Sequence, residues 1–257
     1  MTIFEAPTPW RTERLEQRRA GLTLGFVPTM GALHEGHLSL VRRSLVENDQ
    51  TLVSIFVNPT QFENSTDLGR YPRTLETDLA TLRDEGVHFV FLPNESDLYP
   101  DGYRYRVTET KFSSVMEGAH RRGHFDGVLT VVFKLLQIIS SDRAYFGEKD
   151  WQQLTLVRGM VESFFLSTTI VACRTVRAAD GLAVSSRNRL LDPEQRTQAS
   201  CFYRVLSEAA TADAAVRDLR VLGFVVDYVE DRDERRLGAV RLGDVRLIDN
   251  VSRGGRQ

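Results

Sequence analysis

Three short stretches of this 257-residue chain hold the residue types that chemistry needs. The first is Pro28-Thr29-Met30-Gly31-Ala32-Leu33-His34-Glu35-Gly36-His37. Its two imidazoles stand three residues apart, so on a helical turn they share a side and reach the same phosphate oxygens. Neutral or charged, they can donate to charge that develops as a phosphoryl bond breaks. Gly36 leaves room for a ligand against the backbone. A structural histidine opening a helix and a zinc site are the competing readings. Zinc is the weaker, because this is not the HExxH arrangement and no Cys or third His lies nearby. The second stretch is Phe146-Gly147-Glu148-Lys149-Asp150-Trp151-Gln152-Gln153. Asp150 can accept from ribose hydroxyls, and Gln153, about one turn on, can reach a polar substrate. Lys149 is one of only three lysines beside thirty arginines, and a phosphate contact suits it better than a solvated surface. The third is Ser185-Ser186-Arg187-Asn188, where two hydroxyls and a guanidinium can clamp a polyphosphate; read alone, it is ordinary loop composition. Asn58, Gln61 and Tyr71-Pro72-Arg73-Thr74 could bind a substrate's oxygens or form a plain loop.

The elements that must position these residues alternate between strand and helix. Leu22–Val27 reads as a buried strand, ending at Pro28 and a Gly31 turn, followed by a helical stripe over His37–Val46. Leu52–Val57 is a second strand, and a polar loop follows from Asn58 to Arg70. A helix over Thr74–Glu85 then precedes a third strand at Val87–Leu92. Strands that are apolar throughout, separated by helices, predict a parallel α/β sheet. The alternation continues with a buried helix at Val128–Ile139, a strand at Asp142–Phe146, a helix at Trp151–Phe164 and a strand at Thr168–Val176. Beyond it the texture changes to a polar segment, a helix from Pro193 to about Ala210, and strand-like Phe224–Val229 and Val240–Ile248. The expected organisation is therefore a nucleotide-binding, Rossmann-like domain over 1–175 and a small α+β domain over 176–257. The first two constellations fall where strands hand over to helices, the place where open parallel sheets bind nucleotides and helix-start amides favour phosphate.

Composition limits the alternatives. A net charge of −2 supplies no basic field for nucleic acid. The longest mainly apolar stretch, 127–139, contains Lys134 and is too short to span a bilayer. The amino end lacks the apolar segment of a secretory signal, and Cys173 and Cys201 form no motif, so a reducing cytoplasmic setting is expected.

In their order along the chain these stretches resemble the pantothenate synthetases (pantoate–β-alanine ligases), HxGH-type relatives of the nucleotidylyltransferases and class I tRNA synthetases. The resemblance rests on VPTMGALHEGH (27–37), SIFVNPTQF (54–62), RYPRT (70–74), EGAHRRGHFDGV (117–128), YFGEKDWQQL (145–154), DGLAVSSRN (180–188) and RLIDN (246–250). It implies that ATP and pantoate give a pantoyl adenylate and pyrophosphate, with magnesium, and that the amine of β-alanine then yields pantothenate and AMP. It implies that residues 28–37 hold ATP, with His37 as proton donor and His34 beside it at the phosphates. Gly147, Glu148, Lys149 and Asp150 would contact the nucleotide and Val176 the adenine. Val184, Ser185, Ser186 and Arg187 would form a phosphate-gripping loop of a lid domain. Gln61 and Gln153 would grip pantoate, with Asn58 and Met30 at the substrate, and a homodimer would form through the amino domain. Thr77 stands where the family commonly has a carboxylate, flanked by Glu76 and Asp78. Arg122 replaces a usual proline, Val184 a longer side chain, and the region between Ala210 and Val225 reads as shortened. A nucleotidylyltransferase of the same fold, or a ligase using another amine or hydroxy acid, is the alternative.

Overall fold

A computed structural model of the protein describes residues 1–63, 68–69 and 71–253, so residues 64–67 of the expected polar loop, and Arg70 of RYPRT, lie outside the described residues. The chain divides into two compact units: Met1–Gly147 with Gln152–Cys173, and Glu148–Trp151 with Arg174–Gln257. Assigning Glu148–Trp151 to the second unit is not something a linear reading of the chain foresees.

In the first unit the described strands form a parallel sheet: β1 (Thr2–Phe4), β2 (Leu24–Thr29), β3 (Gln50–Ile55), β4 (Phe89–Phe91), β5 (Arg143–Gly147) and β6 (Thr169–Cys173). Their order across the sheet is β1-β4-β3-β2-β5-β6. The chain steps outward from β2 to β3 and β4, then returns to the other side of β2 as β5. That reversal puts the topological switch point at the carboxyl ends of β2 and β5, where open α/β sheets receive ligands. β2 runs through Pro28 instead of ending there. Pro28 lacks an N–H, but β5 pairs only with Gly25 and Phe26, so no ladder bond is demanded of it on that side.

Helices among the described residues include α1 (Pro7–Arg19), α2 (Glu35–Glu47), α3 (Leu75–Asp84), the one-turn α4 (Glu95–Leu98) and α5 (Glu117–His120), α6 (His124–Ile139) and α7 (Trp151–Ser163). α6 is buried along most of its length, as its sequence predicts. Its carboxyl end is capped from α1: Trp10 Nε1 donates to the Ile139 carbonyl at 3.2 Å and buried Arg14 to that of Ser140 at 3.0 Å. A cation there also opposes the negative end of the helix dipole. α1 and β1 were not expected. α1 is mostly polar, and β1 has three residues and pairs with β4.

The second unit contains α8 (Pro193–Glu208), α9 (Ala212–Val221) and an antiparallel sheet β7-β8-β9 (Val225–Arg232, Arg235–Leu242, Val245–Ser252). α8 begins with a reciprocal capping box between Asp192 and Gln195 and a proline in its first turn. The single strand expected over 240–248 is a hairpin whose two-residue turn, Gly243-Asp244, uses glycine at φ +54°. Ala199, Phe202 and Leu206 of α8 pack with Ala215 and Leu219 of α9 onto the sheet residues Val240 and Leu247.

Candidate active site

The turn after β2 is built from backbone groups that are spent inside the protein. Thr29 Oγ1 donates to the Ser54 carbonyl at 2.7 Å and accepts from Gly31 N at 3.2 Å. The next two amides, of Ala32 and Leu33, each donate to a carboxylate oxygen of Asp78 at 2.9 Å. The expectation that amides of this stretch take phosphate therefore narrows: those of Gly31, Ala32 and Leu33 are turned inward. His34 then occupies the position before α2 with extended backbone, and its carbonyl accepts from His37 N at 2.8 Å. The two rings stack at 4.0 Å between centroids, inclined by 22°, so one ligand oxygen could meet both. Their nitrogens and the opening amides of α2 form a donor-rich helix start, favourable to an anion. Glu35, exposed, pairs with Arg42, which also binds Glu85.

Gln61 lies on a 3-10 turn, Pro59–Gln61, and is held from several sides. Its Nε2 donates to Met30 Sδ at 3.1 Å and its Oε1 accepts from Asn58 Nδ2 at 3.1 Å. His124 Nδ1 meets the Gln61 carbonyl at 2.9 Å, while His124 Nε2 accepts from Arg121 at 2.9 Å. Accepting at Nε2 leaves the proton on Nδ1, a neutral imidazole that donates to Gln61. It is Arg121, not the exposed Arg122, that engages His124. Gly127 brings α6 against this turn, since a β-carbon there would sit 2.4 Å from the Thr60 carbonyl oxygen.

The Asn58 side chain is 1% exposed: Nδ2 donates to Gln61 and to the Gly127 carbonyl, while Oδ1 accepts from Thr60 and from Tyr99. Through the first of these bonds Asn58 holds the Gln61 side chain. Burial pushes the Tyr99 phenol up to about 12, and the phenol donates to Asn58 Oδ1 at 2.8 Å. Lys134, on α6, is engaged near Tyr99. Its ammonium donates to the Leu98 carbonyl at 2.7 Å, pairs with Asp101 and lies 4.8 Å over the Tyr99 ring. Of the Gln152-Gln153 pair, Gln152 is buried and bonds the Phe112 and Val115 carbonyls and Glu117 N, while Gln153 is half-buried.

In the second unit, Glu148–Asp150 form a 3-10 turn after β5. Asn250, from the RLIDN stretch on β9, donates to the Glu148 and Lys149 carbonyls at 2.8 and 2.9 Å. Arg235 donates to Asn250 Oδ1 at 2.6 Å, pairs with Glu148 at 3.0 Å and lies 3.8 Å over the Trp151 ring. Neither residue was given a role by the sequence. Lys149 is three-quarters buried or more and lies 3.7 Å from the half-exposed Asp150 carboxylate. A small crevice in this unit is lined by Lys149, Ser185, Arg187, Asn188 and Arg246, together with the Asp249 carboxylate and the apolar Leu182, Phe202 and Leu247. Ser185 Oγ caps the turn by accepting from Arg187 N at 3.3 Å, with half-buried Ser186 between them. Val184 N donates to the Val176 carbonyl at 2.9 Å, so these two candidate nucleotide contacts are neighbours.

Among the described residues no three His, Cys, Asp or Glu side chains gather to hold a metal ion. Asp78, one of the carboxylates flanking Thr77, is committed to amides. Among the same residues no helix is long and apolar enough to cross a membrane.

Fold and turn together define an α/β protein with a pair of stacked imidazoles at a helix start, at its sheet's switch point. A protein named pantothenate synthetase from Bdellovibrio bacteriovorus is 50% identical over 249 residues, 97% of this chain and 98% of its own length. A solved pantoate–β-alanine ligase from Francisella tularensis, complexed with beta-gamma ATP and beta-alanine, superposes with a TM-score of 0.93 at 39% identity. That match covers 99% of this chain and 98% of the other. The pantothenate synthetase structure from Thermus thermophilus gives 0.87 at 40% identity, covering 98% and 99%. The model of the pantoate–β-alanine ligase family matches residues 2–252, and the chain belongs to that family.

Proposed function

We propose that this chain condenses pantoate with β-alanine, driven by cleavage of ATP to AMP and pyrophosphate. A pantoate carboxylate oxygen attacks the α-phosphorus and pyrophosphate leaves. The amine of β-alanine then attacks the acyl carbon, and AMP departs with that oxygen. The protein's part is to position reactants and steady charge; no covalent enzyme intermediate is needed. His34 and His37 donate to phosphate oxygens as negative charge grows on the leaving group, with His37 the proton donor. Met30, Gly36 and the helix start line the nucleotide. Lys149, Ser185, Ser186 and Arg187 neutralise the phosphates, Asp150 accepts from the ribose and Val176 and Val184 meet the adenine. Gln61 and Gln153 bind pantoate. Magnesium arrives on the ATP phosphates as part of the substrate, since phosphate oxygens are its ordinary ligands.

The observation that carries this reading is the stacked His34–His37 pair in the turn whose Met30 sulfur also fixes the Gln61 amide. Neutral carboxamides suit a small hydroxy acid, whereas a phosphorylated acceptor calls for cations. The relative complexed with beta-gamma ATP and beta-alanine supports the same substrates. Pyrophosphate release from ATP is the test. Release that requires pantoate, followed by AMP release on adding β-alanine, supports the ligase. Release only with a phosphorylated acceptor makes the chain a nucleotidylyltransferase. Family likeness further supports a cytoplasmic homodimer, checked by sedimentation.

A further inference from the structure

The turn that carries the two histidines is held by one buried carboxylate. Gly31 and Ala32 follow one another at φ +78° and +50°. Glycine adopts this region freely, but alanine does so against its β-carbon. Asp78, 3% exposed, answers both residues at once: Oδ2 accepts from Ala32 N and Oδ1 from Leu33 N, each at 2.9 Å. Thr74 Oγ1 donates to Oδ2 at 3.1 Å and fixes the carboxylate's rotation. A β-carbon at Gly31 would stand 3.0 Å from that oxygen, so the glycine is what lets the carboxylate approach. The next residue is His34, whose carbonyl takes the His37 amide. Fixing the peptide planes at 32 and 33 therefore fixes the start of α2 and both rings.

We propose that Asp78 is a positioning residue for the reaction: it holds the strained Gly31–Leu33 turn so that His34 and His37 meet the nucleotide phosphates. The inference rests on the reading of those histidines as phosphate contacts. It gives the carboxylate beside Thr77 a task in shaping the turn. Asp78→Asn conserves volume but offers one oxygen to two amides, so one of the bonds is lost in either orientation. Ala32→Gly in the same background removes the conformational cost that the carboxylate offsets. Gln61, which Asn58 and His124 hold from outside this turn, should respond far less.

The experiment measures pantoate-dependent pyrophosphate release by the full chain, with KM for each substrate. Asp78→Asn should lower kcat about 10–100-fold, the scale of a small misplacement of catalytic groups, and raise KM for ATP. KM for pantoate should hold within about twofold of the native value, marking selective damage to the nucleotide side. Adding Ala32→Gly should recover a clear part of the lost kcat, which relief of a merely general instability would not do while KM for pantoate stays fixed. Native-like kcat in Asp78→Asn, a parallel rise of both KM values, or no recovery with Ala32→Gly overturns the proposal. Thr74→Val, which keeps the carboxylate and loses the bond that orients it, covers the case in which Asp78→Asn does not fold. It should raise KM for ATP, and unchanged kinetics there also overturn the proposal. Should the native chain release no pyrophosphate with pantoate, the ligase reading fails by itself. The turn is then tested by calorimetric ATP titration, weaker binding in Asp78→Asn supporting it and equal binding refuting it.

Discussion

Asn250→Ala isolates the contact that ties the tail of the chain to Lys149. The side chain donates to the Glu148 and Lys149 carbonyls and accepts from Arg235. A neutral hydrogen bond contributes about 1 kcal/mol net and one with a charged partner about 1.5–3 kcal/mol. The three together approach about 4 kcal/mol, reduced toward about 2 where water replaces Asn250 at the freed carbonyls. For a chain of this size that corresponds to a fall in Tm of about 5–15 °C. The 3-10 turn at Glu148–Asp150 would shift by a fraction of its own width, and an ångström at Lys149 can cost up to about 10²-fold in rate. Asn250→Asp should do at least as much harm, because a carboxylate would face two carbonyl oxygens and compete with Glu148 for Arg235. The assays are a thermal melt and KM for ATP in pyrophosphate release. An Asn250→Ala protein with native Tm and native KM for ATP would show that the turn is set by something else.

Three further substitutions separate the parts of the site. His37→Ala should lower pyrophosphate release by about 10²–10⁴-fold while nucleotide binding, followed by calorimetry, persists. Gly127→Ala would drive a methyl to within 2.4 Å of the Thr60 oxygen and 2.7 Å of Gln61 Cα. It should raise KM for pantoate with little change for ATP, the reverse of the Asp78 variant. Asp231→Asn probes pH. The Arg236 guanidinium, by its hydrogen bond, holds the Asp231 carboxyl below the usual aspartate range. A depressed folded-state pKa means the stabilisation is complete above the unfolded value and fades as pH drops through the folded one. The native-minus-variant difference in Tm should therefore be full at neutral pH and shrink below about pH 4. A difference that stays constant to about pH 2.5, well below the ordinary aspartate pKa, refutes the pairing.

What the sequence disclosed was the part of the molecule written in local pattern. The β2–α2–β3–α3–β4 alternation was legible because both faces of those strands are apolar and the helices carry one apolar face. The His34–His37 turn was legible because the pair follows the first long strand of a parallel sheet. The partners of Asn58 were not legible, because a carboxamide's type does not say which groups it bonds, and Tyr99, 41 residues away, is one of them. Asp78 and Asn250 reach across 46 and 101 residues to the backbone they hold. A lone sequence contains no distance information of that kind. Asn250 left a trace in RLIDN, a stretch that stood out with no chemistry attached to it. The β8–β9 hairpin was read as one strand because Gly243-Asp244 interrupts an otherwise continuous apolar pattern by only two residues. α1 escaped because its charged surface hides the buried Trp10 and Arg14. The expectation of a shortened carboxyl-terminal region stands beside relatives that are matched over 98% and 99% of their own lengths.

The central claim is that a carboxylate oxygen of pantoate attacks ATP at its α-phosphorus in a site organised by His34, His37 and Gln61. Pantoate labelled with ¹⁸O in its carboxylate tests it in a single mass-spectrometric measurement of the products formed with ATP and β-alanine. The expected result is one labelled oxygen in AMP and none in pyrophosphate. Label in inorganic phosphate, or AMP without label, would contradict the adenylate route.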